Sequence, residues 1–215
     1  MSALTLALDA CTSAGTVAVL RGTTVLAEGT VAMRSRDEER LMPAVVQVLD
    51  DAGVAPRALD RIVCGGGPGS FTSLRIAAGI AKGLALALNK PLYAVPSLAL
   101  VAASAPTATE IVAALDALRG EWYASSVRFT ADGALDAVGE VRVVGEERLS
   151  AVAAGAPVVR GDATHVVPHV RTVARMLDWI ERAGPVALEA WEPAYGRLAE
   201  AQVKWEAAHG RALTA

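Results

Sequence analysis

The chain is poor in the residues that catalysis most often draws on. Its 215 residues include 2 cysteines and 3 histidines, and aromatic side chains make up 4%. Cys11 and Cys64 lie far apart with no metal or redox spacing, which reads as two reduced, partly buried thiols. His165 and His169 are four apart, but Pro168 stands between them and no glutamate accompanies them, so no metal site is expected. His209 is isolated, and three histidines so placed support no Ser-His-Asp or Cys-His arrangement. No catalytic residue is assigned.

Excess positive charge is also missing. Twenty Lys and Arg against 23 Asp and Glu leave a net charge of -3, which exerts no global pull on nucleic acid or anionic membrane. Any work on RNA would take most of its phosphate contacts from another protein. The N-terminus has no basic leader and meets Asp9 before a signal-length apolar run develops. The longest apolar stretch, Leu74 to Leu88, carries Arg75 and Lys82 and is short for a bilayer span. A cytoplasmic protein without membrane attachment is expected.

What is present is a core-forming composition, 53% hydrophobic and 20% charged, which excludes disorder. Periodicity predicts strands at Leu4–Asp9, Thr16–Leu20 and Thr24–Glu28, an antiparallel meander turning at Arg21-Gly22. A helix over Asp37–Ala52, a strand at Arg61–Cys64, a helix over about Thr72–Leu88, a strand at Pro91–Val95 and a helix at Ser97–Ala103 follow. The small, proline-containing stretch Ser104–Thr109 is the expected hinge. Beyond it the pattern restarts: strands at Ile111–Asp116, Glu121–Phe129 and Leu135–Val144, with an Asp132-Gly133 turn, then helices over Glu146–Ala154, Thr172–Arg182 and Leu198–His209. Pro157–Arg160 and Val186–Leu188 read as short strands.

Each half therefore opens with a strand ending in aspartate and two further strands. Ala-Leu-Asp-Ala occurs at Ala7–Ala10 and Ala114–Ala117, at equivalent places, although it recurs at Ala134–Ala137 with no equivalent role. The repeated order of elements is the better sign of duplication. Two lobes are expected, 1–103 and a smaller 104–215, with the last helix (198–209) packing back on the first.

Gly65-Gly-Gly-Pro-Gly-Ser-Phe-Thr-Ser-Leu-Arg-Ile76 links a strand to a helix through a tight turn that Ser70 or Thr72 can cap. Such a helix start can hold an anion. The turn lacks the Gly-Lys-Ser/Thr of a P-loop and the spacing of a dinucleotide fingerprint, so a structural corner is the commoner reading. Asp9, Thr12, Ser13, Gly67 and Ser70 are the candidate vestigial nucleotide contacts, with turn capping the competing role for Asp9. Asp116-Ala-Leu-Arg-Gly120, like the turn after Asp9, lacks the Asp-x-Gly that lets backbone approach a phosphate. Arg119 and Glu121 beside Trp122 and Tyr123 form either a contact corner or an ordinary strand start.

The helix after the turn is apolar nearly all round. Leu74, Ala77, Ala81, Leu84 and Leu88 share one face, while Ile76, Gly79, Ile80, Gly83 and Leu86 make much of the other. One face can pack on its own sheet, and small residues at Gly79, Gly83 and Ala87 would let another helix approach closely. A fully internal helix fits the pattern equally well.

Ile62-Val-Cys-Gly-Gly-Gly-Pro-Gly-Ser-Phe-Thr-Ser-Leu-Arg-Ile76, continuing through Ala81-Lys-Gly-Leu-Ala85 to Val95-Pro-Ser-Leu98, closely resembles the bacterial TsaB (YeaZ) family. Leu6–Ala10, Arg40-Leu-Met-Pro43, Asp116–Tyr123, Glu192-Pro-Ala-Tyr-Gly-Arg197 and Val203-Lys-Trp205 follow the family order along nearly the whole chain. The resemblance implies an α/β fold of two actin-like (ribonuclease H-like) lobes, the second reduced. It implies a non-catalytic scaffold in the complex that forms N6-threonylcarbamoyladenosine in tRNA, pairing with and activating a catalytic TsaD subunit. A TsaE ATPase joins them, tRNA is met only through the complex, and ATP or ADP and metal belong to the partner subunits. The implied interface is Leu74, Ile76, Gly79, Ile80, Gly83, Leu86 and Ala87. Ser73 stands where the family usually has glycine, and Ser35-Arg-Asp37 where it commonly has Arg-Glu-His. The competing readings are a kinase-like ATPase or metallopeptidase-like enzyme of the same superfamily, and a stand-alone homodimer built on the same helix.

Overall fold

In the computed structural model, which describes residues 2–33, 39–105, 108–162 and 165–196, two sheets face each other across a shared helix. The first contains β1 (Leu4–Asp9), β2 (Ala14–Arg21), β3 (Thr24–Ala32), β4 (Arg61–Gly65) and β5 (Leu92–Val95) in the order β3-β2-β1-β4-β5. The meander is antiparallel, with Asp9 opposite Thr16, and β4 and β5 extend the sheet in parallel. β1 is buried on both faces, so its alternation sorts residues between two cores. Leu4, Leu6 and Leu8 meet α1 (Leu41–Asp51) and α2 (Phe71–Leu88), while Ala7 faces α3 (Ser97–Ser104).

The second sheet, also of five strands, repeats much of this plan. β6 (Glu110–Asp116), β7 (Glu121–Phe129), β8 (Leu135–Val138), β9 (Arg142–Gly145) and β10 (Val158–Gly161) give the order β10-β6-β7-β8, with β9 also on β7. β6 matches β1, β7 matches β2, and β10 lies parallel to β6 as β4 does to β1. The two lobes thus share one plan, the second with short outer strands: β8, β9 and β10 have four residues each. The duplication reaches the side chains: Asp9 accepts the Cys11 N–H at 2.9 Å and Asp116 accepts the Leu118 N–H at 2.7 Å, the same bond two residues on in both turns.

α3 is buried along Ser97–Ala103, because it lies between the sheets instead of on an outer face. Its Leu98, Leu100 and Val101 join Ala7 and Val63 of the first lobe to Ile111, Leu115 and Val127 of the second in one core. The lobes are thus continuous through α3.

Three elements differ from the pattern expected of the sequence. The strand over Leu135–Val144 is two strands, broken at Gly139, where the Gly139 N–H bonds to Ser126 O and its carbonyl accepts the Ser125 hydroxyl. The helix over Thr172–Arg182 is a 3-10 turn, Val170–Arg175, followed by α5 (Leu177–Ala183), because Met176 leaves helical geometry with its side chain fully buried. Val186–Leu188 forms no strand; Val186 gives one hydrogen bond to Leu92 O, and a turn closed on Ala187 O by the Ala190 and Trp191 N–H groups leads into a strap without regular structure. The helix expected over 198–209 lies outside the described residues, as do Asp37 and His209.

Both cysteines are fully inside, Cys11 on the α3 side and Cys64 beneath α1 and α2. Burial, with the Asp9 charge adding to it, pushes both thiols up. Neither is expected to react with a thiol reagent in the native protein, and both are expected to react in denaturant; rapid native labelling would contradict this burial.

Candidate partner interface

The glycine-rich turn is built around Asp9. Its carboxylate sits 1% exposed between the Cys11 N–H and the Ser97 hydroxyl, which donates to it at 2.7 Å. Ser97 Oγ in turn accepts the Gly67 N–H at 3.0 Å, and the Ser97 N–H bonds to Gly67 O. Burial pushes the Asp9 carboxyl up, against the hydrogen bonds that favour its charged form. A methyl group at Gly65 would fall onto Asp9 Oδ1, and one at Gly69 onto the Cys11 carbonyl. At Gly67, φ is +80° and a methyl would overlap Ala194 O. The glycines therefore make room for the chain's own atoms.

Asp9, Thr12, Ser13, Gly67 and Ser70, the expected nucleotide contacts, are placed as follows. Asp9 is a buried pin for the turn, and Gly67 lies under the Ala194 backbone, so neither faces an open phosphate site. Thr12 closes a local turn with both the N–H and the carbonyl of Ala14, and the carbonyl of half-buried Ser13 accepts the Met33 N–H. Ser70 occupies the N-cap position of α2, but its hydroxyl meets Ser73 Oγ at 3.0 Å instead of a backbone N–H. Ser73, where the family usually has glycine, is thereby accommodated inside the corner, 6% exposed.

α2 runs from this corner with one face on the sheet. Ala77, Ala81 and Ala85 are buried against β1 and β4 residues, and Asn89, left-handed at φ 52°, ends the helix by returning its N–H toward Ala85 and Leu86. The opposite face, Thr72, Arg75, Gly79, Gly83, Leu86 and Ala87, is exposed, with Leu86 at 74%. The helix is thus not fully internal. Leu74, expected in the interface, is fully buried in the chain's own core, while Ile76 and Ile80 are half-buried at the edge of the stripe. Methyl groups at Gly79 and Gly83 would meet nothing within 4 Å. On α1, Val46 is also exposed, at 49%. At 18 residues α2 is long and apolar enough, by length and composition, to cross a membrane, but its inner third is packed inside the protein.

The remaining sequence candidates do not assemble into a site. His165 is exposed and pairs with Asp162 at 2.9 Å, whereas His169 is buried, its Nδ1 accepting the Arg171 N–H. Among the described residues no three His, Cys, Asp or Glu side chains come together to hold a metal ion. At the second-lobe corner, Trp122 Nε1 donates to Glu146 and lies under Arg160, and Leu118 and Arg119 carry positive φ in the exposed turn. Sequence reasoning missed Ser97 as the link between Asp9 and the turn; its signal was the Pro-Ser after β5.

Burial lowers the His169 pKa, with Arg171 acting in the same direction and Glu28 opposing. The unfolded chain then binds the proton more readily than the folded one. The stability this confers is fully present above the ordinary histidine value of about 6.5 and is lost as pH falls toward the depressed folded value. His169→Asn keeps an acceptor for the Arg171 N–H and removes the titration. The denaturation midpoint of the native chain is expected to fall relative to this variant from pH 7.5 to 5; a constant difference would contradict a buried neutral imidazole.

Comparison with known proteins gives these features a relationship. A family model described as TsaD, tRNA N6-adenosine threonylcarbamoyltransferase, matches residues 31–170. The tRNA threonylcarbamoyladenosine biosynthesis protein TsaB of Bacillus subtilis is 39% identical over 119 residues, and that of Escherichia coli 38% over 121, each match covering 55% of this chain and 52% of the relative. The chain thus spans about half the length of the curated relatives it matches. YeaZ from Pseudomonas aeruginosa superposes with a TM-score of 0.74 at 31% identity, covering 90% of this chain and 99% of that one. The chain belongs to the TsaB/YeaZ family of tRNA threonylcarbamoyladenosine biosynthesis.

Proposed function

We propose that this chain is a non-catalytic, cytoplasmic scaffold subunit of the complex that forms N6-threonylcarbamoyladenosine in tRNA. It binds and activates a TsaD-like catalytic subunit through the outer face of α2. The observation that carries this reading is the pair of glycines at positions 79 and 83. Each sits inside an exposed helix face with open space above it. Glycine in a helix interior costs about 1 kcal/mol relative to alanine. No neighbour in the monomer requires the missing side chain, whereas a helix docking closely on the stripe would.

A partner of related fold fits such a face. The family model that matches residues 31–170 is described as the transferase itself, which supports a catalytic relative of this chain as that partner. A second copy of this chain could use the same stripe as a two-fold contact, making homodimer and heterodimer alternatives. A TsaE-like ATPase would join the assembled pair, and ATP or ADP, metal and tRNA would be handled there. Mixing the purified chain with the TsaD-like subunit and measuring mass in solution tests the pairing. A one-to-one complex that replaces any homodimer is expected; two species that never associate would refute it.

A further inference from the structure

The extended segment Trp191–Gly196 crosses from one lobe to the other within a few residues. The Ala194 N–H donates to Gly66 O at 2.8 Å, and its carbonyl lies against Gly67 so closely that only glycine fits there. The Tyr195 ring packs on Phe71, centroids 4.6 Å apart, at the first turn of α2. The carbonyl of the same residue accepts the Tyr123 hydroxyl from β7 at 3.4 Å, and Gly196 lies against the Tyr123 ring. Gly66, Gly67 and Phe71 belong to the first lobe, Tyr123 to the second.

We infer that this strap is a clasp that fixes the angle between the lobes, with the glycine-rich turn as its socket. Proteins that close around a ligand keep the connection between their lobes free to bend. Here the connection is fastened by the strap and again by contacts between the first sheet and the 3-10 turn. There the Thr16 hydroxyl donates to Pro168 O at 3.1 Å and accepts the Val170 N–H, and Arg171 pairs with Glu28 at 2.9 Å. A third tie joins buried Arg61 of β4 to Glu181 of α5 at 3.1 Å. Between them α3 fills the shared core. The conformational freedom of glycine, used elsewhere to admit phosphate, is here used to admit the chain's own backbone. A body so clasped presents α2 and the second lobe in one orientation, and a partner need not order them on docking.

Hydrogen exchange of the isolated chain tests the clasp without reference to any partner, so its outcome stands apart from the scaffold reading. In the native protein the Ala194 and Val186 amides are expected to exchange with protection comparable to the β1 amides, through global opening. Tyr195→Ala removes the ring from Phe71 without touching the backbone. It is expected to speed exchange at Ala194 by 10- to 100-fold while β1 and β6 amides keep theirs; Tyr195→Phe is expected to behave as the native chain. The clasp is overturned if Ala194 in the native chain exchanges a thousandfold faster than β1, or if Tyr195→Ala leaves its rate unchanged.

Discussion

Gly83→Phe is expected to leave the monomer folded, with a thermal midpoint at or slightly above that of the native chain, and to abolish docking of the catalytic subunit. The space above Gly83 is open, and phenylalanine is the better helix former by about 0.5 kcal/mol. Across an interface the same ring must be accommodated between helices whose axes pack about 8–10 Å apart. Overpacking of that kind costs about 1–3 kcal/mol, so a loss of affinity on the order of 100-fold is expected. Gly83→Ala should stabilise the monomer by up to about 1 kcal/mol and weaken docking far less. Unfolding of Gly83→Phe would mean that this face is covered by the chain itself.

The opposite behaviour is expected eighteen residues earlier. Gly65→Ala places a methyl group on Asp9 Oδ1, a buried carboxylate already held by the Cys11 N–H and the Ser97 hydroxyl. The carboxylate cannot yield without breaking bonds that position the turn, and a buried charge deprived of its donors is costly. A loss of about 3 kcal/mol or more is expected, a large fraction of the stability of a domain this size. A denaturation midpoint within error of the native value would show that Asp9 does not pin the turn. The two glycines thus separate the two uses of the segment: one makes the fold, the other faces outward.

Much of this was legible in the residues. The meander, the β4-turn-α2 corner and the second β-hairpin follow from alternation and glycine placement, because each is a local pattern with a local cause. The duplicated plan was legible in the order of elements, and the turn-capping role of Asp9 in its neighbours. The role of Leu74 was not. Periodicity places it on an apolar helix, but only the position of α3 and the second sheet decides that its side chain turns into the core. Ser97 was quoted as part of a motif without a role, since its partners Asp9 and Gly67 are far away in sequence. The strap was missed for the same reason: Val186–Gly196 has no period of its own, and its conformation is set by Leu92, Gly66, Phe71 and Tyr123.

The glycine turn shows how one sequence signal can have more than one physical cause. Glycines at 65, 67 and 69 do mark close approach, as they would around a phosphate. What approaches is Asp9, Ala194 and Cys11. In the function proposed above, the chain contributes to the tRNA modification through what α2 presents.

Reconstitution of tRNA modification with purified subunits addresses that contribution most directly. Substrate tRNA, the TsaD-like and TsaE-like subunits, the threonylcarbamoyl donor and ATP are combined with the native chain, with Gly83→Phe, or with neither, and modified adenosine is quantified. Modification is expected only with the native chain, and none is expected when the chain is supplied without the TsaD-like subunit. Full modification with folded Gly83→Phe, or transfer catalysed by the chain alone, would contradict the scaffold account.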